Sequence, residues 1–289
     1  MQNRTRNCHY VPRILQSSWE DSDRKIYYFD KANNFVDYVD SEHKMSGRDY
    51  YDMDGSNDEI EDFLNNYETD FKKIINTLGK GYPKSKGEYK SLINLLDKNK
   101  QALIVDRLAS LQYSRIYENN TKNFGIAIAL ACELWTEKFG NFEGIEKEID
   151  KILVDDNFKQ QIFTGTLKSG KEVATPMEGL INLFSNFDVC YMYVKDDTNF
   201  VLSDNPVIKI NERQIIFPLT PKWCVVYEID DADMQGVLNE GAAYKRADKR
   251  VIDIGESESI DAVKSINRVL IENCMKEFGN IDKKLDKVI

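Results

Sequence analysis

A chain of 289 residues with 42% apolar side chains can bury a sizeable core, as one large domain or two modest ones. The polar start, Met1 to Asn7, lacks the apolar stretch of a signal peptide, and no apolar run reaches transmembrane length, so a cytoplasmic protein without a membrane partner is expected. A formal charge of −10 works against non-specific nucleic-acid binding, although a local basic groove, or the cation of an acidic metal-dependent nuclease, would escape that argument.

The first cluster of reactive side chains is His9-Tyr10-Val11-Pro12-Arg13. His9 and His43 are the two histidines of the chain, and imidazole is the side chain best suited to move protons near neutral pH. Pro12 pushes Val11 toward an extended backbone. The segment therefore reads as a strand or arm, with alternation placing His9, Val11 and Arg13 on one face. Lys25 to Phe29 and Phe35 to Val39 read as a hairpin. Ser41 to Gly55 reads as a polar flexible stretch, with His43 an exposed loop residue.

Ser56 and Glu59 form a capping-box signature. Behind it, Ile60, Phe63, Leu64, Tyr67, Phe71, Ile74, Ile75 and Leu78 keep a helical period that Gly79 stops. Glu61 and Glu68 sit seven apart on one edge of that stripe and could offer two carboxylates at the rim of a buried surface. The ordinary alternative is an i,i+4 pair of Glu68 with Lys72. After a turn from Gly81 to Lys86, helices are expected at Tyr89–Leu96 and at about Gln101–Tyr117. Ile104, Leu108 and Leu111 define the face of the second, and Arg115 is the next member of that series. Either the stripe runs out into solvent there, or the guanidinium meets a carboxylate or an anionic ligand; burial and pairing with Glu68 or Asp204 is the expected outcome. Gln112 borders the same face.

Helices are also expected at Phe124–Phe139, Ile145–Leu153 and Met177–Phe187. From Val189 the period changes to two, and short strands at Val189–Val194, Phe200–Leu202, Val207–Ile210, Ile215–Leu219 and Trp223–Glu228 read as an antiparallel meander. Within it Asp204 and Asn205 occupy a strand exit before Pro206, a place for a site or for a plain Asx turn. A last helix is expected from Ser259 to Phe278. Its apolar stripe contains Asn267, which must either tie the helix to a strand or loop, or face a pocket. The five cysteines are widely spaced and form no CxxC, so a disulfide framework or structural zinc is not expected. These elements predict the α+β class: an N-terminal arm and hairpin, a helical region at about 56–187, a C-terminal sheet at about 188–228 and a final helix. They are read as one domain, 1–289, whose terminal strands can share a sheet.

Together these residues resemble the uncharacterised, mostly microbial proteins grouped as domain of unknown function 4238. The family's His-Tyr-Val-Pro opening is matched by His9 to Pro12, and its strand-end Ser/Thr-Asp-Asn-Pro by Ser203 to Pro206. Its helix with Glu at a spacing of seven is similar to Glu61 and Glu68, and its Gln-x-x-Arg to Gln112 and Arg115. Pro218-Leu219-Thr220-Pro221 and Ile266-Asn267 complete the likeness, which spans about residues 8 to 278. The chain departs from the pattern at Arg13 to Trp19, where the family has an aromatic and then Leu-x-Asn-Phe, and at Ile116-Tyr117, where it has Thr-Pro. The resemblance implies a fold and a set of polar positions, and no activity.

Two functional readings follow. In the first, the chain hydrolyses a phosphodiester or nucleotide-like substrate, so that its partner is a small anionic ligand or nucleic acid. His9, Asp204, Arg115 and Glu68 are the candidate catalytic residues: His9 as acid or base, Asp204 as its orienter, Arg115 on the phosphate. Tyr10, Arg13, Gln112, Asn205 and Asn267 are the candidate substrate-binding residues. A variant with a divalent metal cofactor would use His9, Asp204 and Glu68 as ligands. In the second reading the same residues form a satisfied polar network in a non-enzymatic binding or interaction protein. An open cleft with unpaired His9 and Arg115 favours the first, and a fully paired cluster the second.

Overall fold

The computed structural model describes residues 7–48, 50–51, 57–97, 99–116, 140–141, 143–144, 147–148, 151, 155–157, 181, 183–195, 198–211, 213–240, 244–257 and 260–285. The helix expected at 124–139, most of the one expected at 145–153, residues 177–180 and 182 of the one expected at 177–187, and Ser56 of the capping signature lie outside the described residues. The fold is α+β, with antiparallel pairing dominating its sheets.

The arm is shorter than alternation suggests. Strand β1, Asn7–His9, pairs antiparallel with β4, Ser46–Arg48, inside the stretch expected to be an irregular loop. Beyond it Pro12 does not prolong the strand. Its fixed φ of −61° instead starts a short helix α1, Arg13–Gln16, which turns Arg13 away from the strand's register. The hairpin forms as expected from β2, Ile26–Asp30, and β3, Val36–Val39. His43 is exposed.

The helices follow their apolar periods: α2 at Asn57–Leu78, α3 at Lys86–Asp97 and α4 at Asn99–Arg115. Phe71, Ile74 and Leu78 of α2 join Leu96 of α3 and Leu108 of α4 in one buried cluster. Full burial of each such side chain contributes about 1.5–3 kcal/mol.

The C-terminal half departs from a meander. Strands β5 (Asp188–Val194), β7 (Ile208–Asn211), β8 (Gln214–Thr220) and β9 (Trp223–Glu228) belong to a five-stranded sheet of order β10-β5-β9-β8-β7. Its edge strand β10, Ile252–Ser257, pairs parallel with β5 and follows a helix α5 at Asp231–Glu240; neither element was anticipated. The segment expected as a strand at 200–202 leaves this sheet. As β6, Leu202–Ser203, it joins a second sheet of order β3-β2-β11-β6. The last helix α6, Ile260–Glu272, is shorter than expected, and Phe278 lies in the strand β11, Glu277–Asn280. β11 runs between β2 and β6, so N-terminal and C-terminal strands do share a sheet.

The central strands β8 and β9 of the five-stranded sheet are buried on both faces. Successive residues of β8 and β9 alternate between two cores: Phe217 and Val225 face the helices, while Ile216 and Cys224 join Val263 and Leu270 of α6. Two indoles stitch the layers: Trp19 donates to the Phe200 carbonyl at 2.8 Å, and Trp223 to the Leu78 carbonyl at 2.8 Å. The second bond also satisfies a carbonyl of the last turn of α2, which has no intrahelical partner.

Candidate functional site

Arg115 ends α4 where the Ile104-Leu108-Leu111 face predicts it, and it is only 3% exposed. Its Nη2 meets Glu68 Oε1 at 2.8 Å, which is the pairing expected, while Glu68 keeps 19% of its side chain in solvent. The tertiary partner therefore takes the place of the local Glu68–Lys72 pair. One helical turn pair earlier, Glu61 accepts a hydrogen bond from the Cys8 thiol. Burial raises the Glu61 pKa, Arg115 opposes that shift, and the neighbouring Glu68 charge adds to it. Tyr51 is fully buried beside this cluster and donates to the His9 carbonyl at 3.0 Å. Three buried polar atoms here have no hydrogen-bond partner among the described residues: Arg115 Nε, Glu61 Oε1 and Gln112 Oε1. Leaving such a group unsatisfied costs about 1–3 kcal/mol.

His9 completes the arrangement from the end of β1. Its Nε2 lies 3.3 Å from the Ser41 carbonyl and 3.0 Å from the Glu42 carbonyl. Carbonyls only accept, so Nε2 carries the proton of the neutral ring and Nδ1 holds the lone pair. Burial lowers the His9 pKa below 6.5; the two carbonyls oppose this, and the positive charges of Arg13 and Arg115 reinforce it. A neutral ring with a fixed tautomer and a free lone pair is the state that a general base needs near pH 7.

Asp204 is not the orienter of His9. Its two carboxylate oxygens accept the backbone N–H groups of Met275 at 2.7 Å, Lys276 at 2.7 Å and Glu277 at 2.9 Å, and it is fully buried. Burial raises its pKa against the pull of these amides. The His9 ring is held instead by the 41–42 carbonyls. The metal trio of His9, Asp204 and Glu68 does not form, because the Asp204 oxygens are taken by those amides. Among the described residues no group of three His, Cys, Asp or Glu side chains could hold a metal ion.

The expected binding residues divide in the same way. Gln112 is buried and donates from Nε2 to the Tyr10 carbonyl at 2.6 Å. The Tyr10 ring packs in the core against Tyr50, with centroids 5.1 Å apart, and its carbonyl ties it to Gln112. Arg13 is exposed, yet close enough for its charge to act on His9. Asn205 lies in the Asx-like turn, its N–H on Ser203 Oγ at 3.1 Å. Asn267 takes the scaffolding alternative: Nδ2 donates to the Asn199 carbonyl at 2.9 Å and Oδ1 accepts the Val201 N–H at 3.1 Å. Asp204, Asn205 and Asn267 thus hold the second sheet together and do not join His9 and Arg115.

Two features went unread in the sequence. Ser41 and Glu42 act through main-chain oxygens, which no side-chain pattern reveals. Asp106 is buried in α4 and forms a bidentate pair with Arg250, at 2.5 and 3.1 Å, across 144 positions of sequence. A charged residue among Ile104, Val105 and Leu108 was the available signal for it.

Among the described residues no helix is long and apolar enough to cross a membrane. No curated protein and no solved structure matches the chain. A family described as protein of unknown function (DUF4238) matches over residues 7–279, which takes in β1, the Glu61/Glu68 and Gln112/Arg115 helices, and β11 up to Gly279. With nearly its whole length matched, the chain belongs to the DUF4238 family of proteins of unknown function.

Proposed function

We propose that the chain is a cytoplasmic hydrolase of a phosphodiester or nucleotide-like anionic substrate, worked by His9, Arg115, Glu61 and Glu68. The observation that carries this reading is the fixed tautomer of His9, with Nε2–H on two carbonyls and Nδ1 free, next to an arginine that retains an unpaired donor. His9 Nδ1 takes a proton from the attacking water. Arg115 Nε–H, with the charge of Arg13, stabilises the negative charge that gathers on the phosphoryl oxygens. Glu61, held toward its protonated form by burial, gives a proton to the leaving oxygen. Glu68 holds the Arg115 plane in place. Four free thiols among the described cysteines suit a reducing compartment.

A second reading, a non-enzymatic binding protein, draws on the saturated partners of Asp204 and Asn267. The two are separated by assaying the pure protein on an activated phosphodiester and a nucleotide panel, with and without added divalent cations. The hydrolase reading expects turnover that His9→Gln lowers by about 10²–10⁴-fold while the protein still melts cooperatively. A well-folded His9→Gln protein with full activity would remove His9 as the base. Absence of turnover on every substrate would leave the binding reading in possession.

A further inference from the structure

At the other end of α2 from Glu61, an open cleft of about 550 Å³ is lined by Lys80, Tyr82, Lys84, Tyr193, Lys195 and Glu256 among others. It shares no residue with the His9 cluster. From Glu68 to the last residue of the helix, Leu78, the axis rises about 15 Å at about 1.5 Å per residue.

Three properties of the cleft converge. First, its wall is aromatic and half-exposed. The Tyr82 and Tyr193 rings lie 5.3 Å apart, and both are braced from behind by buried Trp223, at 6.3 and 4.9 Å. Trp223 is itself pinned by its bond to the Leu78 carbonyl, so these rings stand ready without further ordering. Second, its rim is cationic on a chain of charge −10. Lys195 is neutralised by Glu256 at 2.6 Å, whereas the ammonium groups of Lys80 and Lys84 form no ion pair among the described residues; the Glu88 carboxylate instead accepts the Lys84 backbone N–H at 2.7 Å. Three lysines against one glutamate leave the lining net positive, and a net positive cleft concentrates anions. Third, the remaining Glu256 oxygen, Oε1, is buried without a hydrogen-bond partner, an acceptor that lacks a donor.

We propose that the Tyr82–Tyr193–Lys80–Lys84–Glu256 cleft binds a nucleotide unit, base on the tyrosine rings, phosphate on Lys80 and Lys84, and a sugar hydroxyl or base amino group on Glu256. A bare phosphate would use the lysines alone, and an uncharged aromatic would leave them unused. A nucleotide engages all three features, and base–aromatic stacking with lysine–phosphate pairing is how nucleotides are held without groove readout. The unit is either a free mononucleotide or part of a single strand. This site goes beyond the proposed hydrolysis and stands without it.

The test is calorimetric titration of the full chain with AMP, with inorganic phosphate, and with single-stranded oligonucleotides of increasing length. AMP is expected to bind, and phosphate much more weakly. Tyr82→Leu should weaken AMP about tenfold while Tyr82→Phe, which keeps the ring, should not. The exposed double change Lys80→Ala with Lys84→Ala should flatten the salt dependence. Tyr82→Leu should weaken AMP by the same factor in a His9→Gln background as in the unaltered protein, which separates this site from the hydrolytic one. Affinity rising with strand length assigns the site to a strand, and constant affinity to a free nucleotide; either upholds it. No AMP binding, phosphate binding as tight as AMP, equal binding by Tyr82→Leu, or binding lost only in His9→Gln would each overturn it.

Discussion

Arg115 separates charge from packing at a single position. Removing one partner of a buried pair strands the other, here Glu68 with Glu61 close by, and Arg115→Ala is expected to cost about 3–5 kcal/mol in denaturant unfolding. Arg115→Met keeps the stem and should recover part of that loss without restoring anion binding. Stability unchanged in Arg115→Ala would contradict the burial. His9 carries a pH signature of defined sign. Its folded pKa is lowered by burial, so the folded state binds fewer protons than the unfolded chain. Its contribution is whole above the ordinary value of 6.5 and is lost as pH falls through it toward the folded value. His9→Gln should therefore gain on the unaltered protein in midpoint denaturant concentration as pH drops from 8 to 5. A stability difference that stays constant over that range would show the ring to be solvated in the fold. Comparing the two proteins cancels Glu61 and Asp204, whose raised pKa values act in the opposite direction.

At the level of elements, Asp204 explains why the last helix stops. The 3.6-residue stripe continues in sequence through Cys274 to Phe278, yet α6 ends at Glu272. The Asp204 carboxylate captures three successive amides, Met275 to Glu277, that a continuing helix would need for itself. The chain is thereby released into β11. Asp204→Ala leaves three N–H groups without an acceptor and should cost about 3 kcal/mol or more. The hydrolytic rate per folded molecule should stay unchanged, because Asp204 does not touch His9. Calorimetric melting together with a rate corrected for the folded fraction checks both halves. A rate loss at full folding would return Asp204 to the site.

At the scale of the molecule, β11 is the keystone of the second sheet. It pairs with β2 on one side and β6 on the other, joining residues 26–30 to residues 202–203 through residues 277–280. Gly279 permits this closeness, since a Cβ there would lie 3.1 Å from Ile26. A chain cut after Lys276 loses both pairings and the stacked contact of Phe278 with Phe29 at 5.1 Å. It should unfold without a cooperative transition when followed by circular dichroism in urea. A sharp transition in the truncated protein would show that β11 is an accessory strand.

Periodicity by itself determined the α+β class, the hairpin, the helices α2 to α4, the strands β5, β8 and β9, and the burial of Arg115. These follow from local rules, in which side-chain direction repeats every 3.6 or 2 residues and a lone charge in an apolar stripe must find a partner. The resemblance added the family, and it picked out His9, Glu61 and Glu68 alongside structural residues such as Asp204 and Asn267. Only the tertiary structure divided that list. Hydrogen-bond partners are set by which backbone groups arrive opposite a side chain, and those came from residues 41–42 for His9 and 275–277 for Asp204. The parallel strand β10, the end of α6 and the Asp106–Arg250 pair likewise depend on segments far apart in the chain. No local period encodes such meetings, because their free energy appears only when the chain has closed.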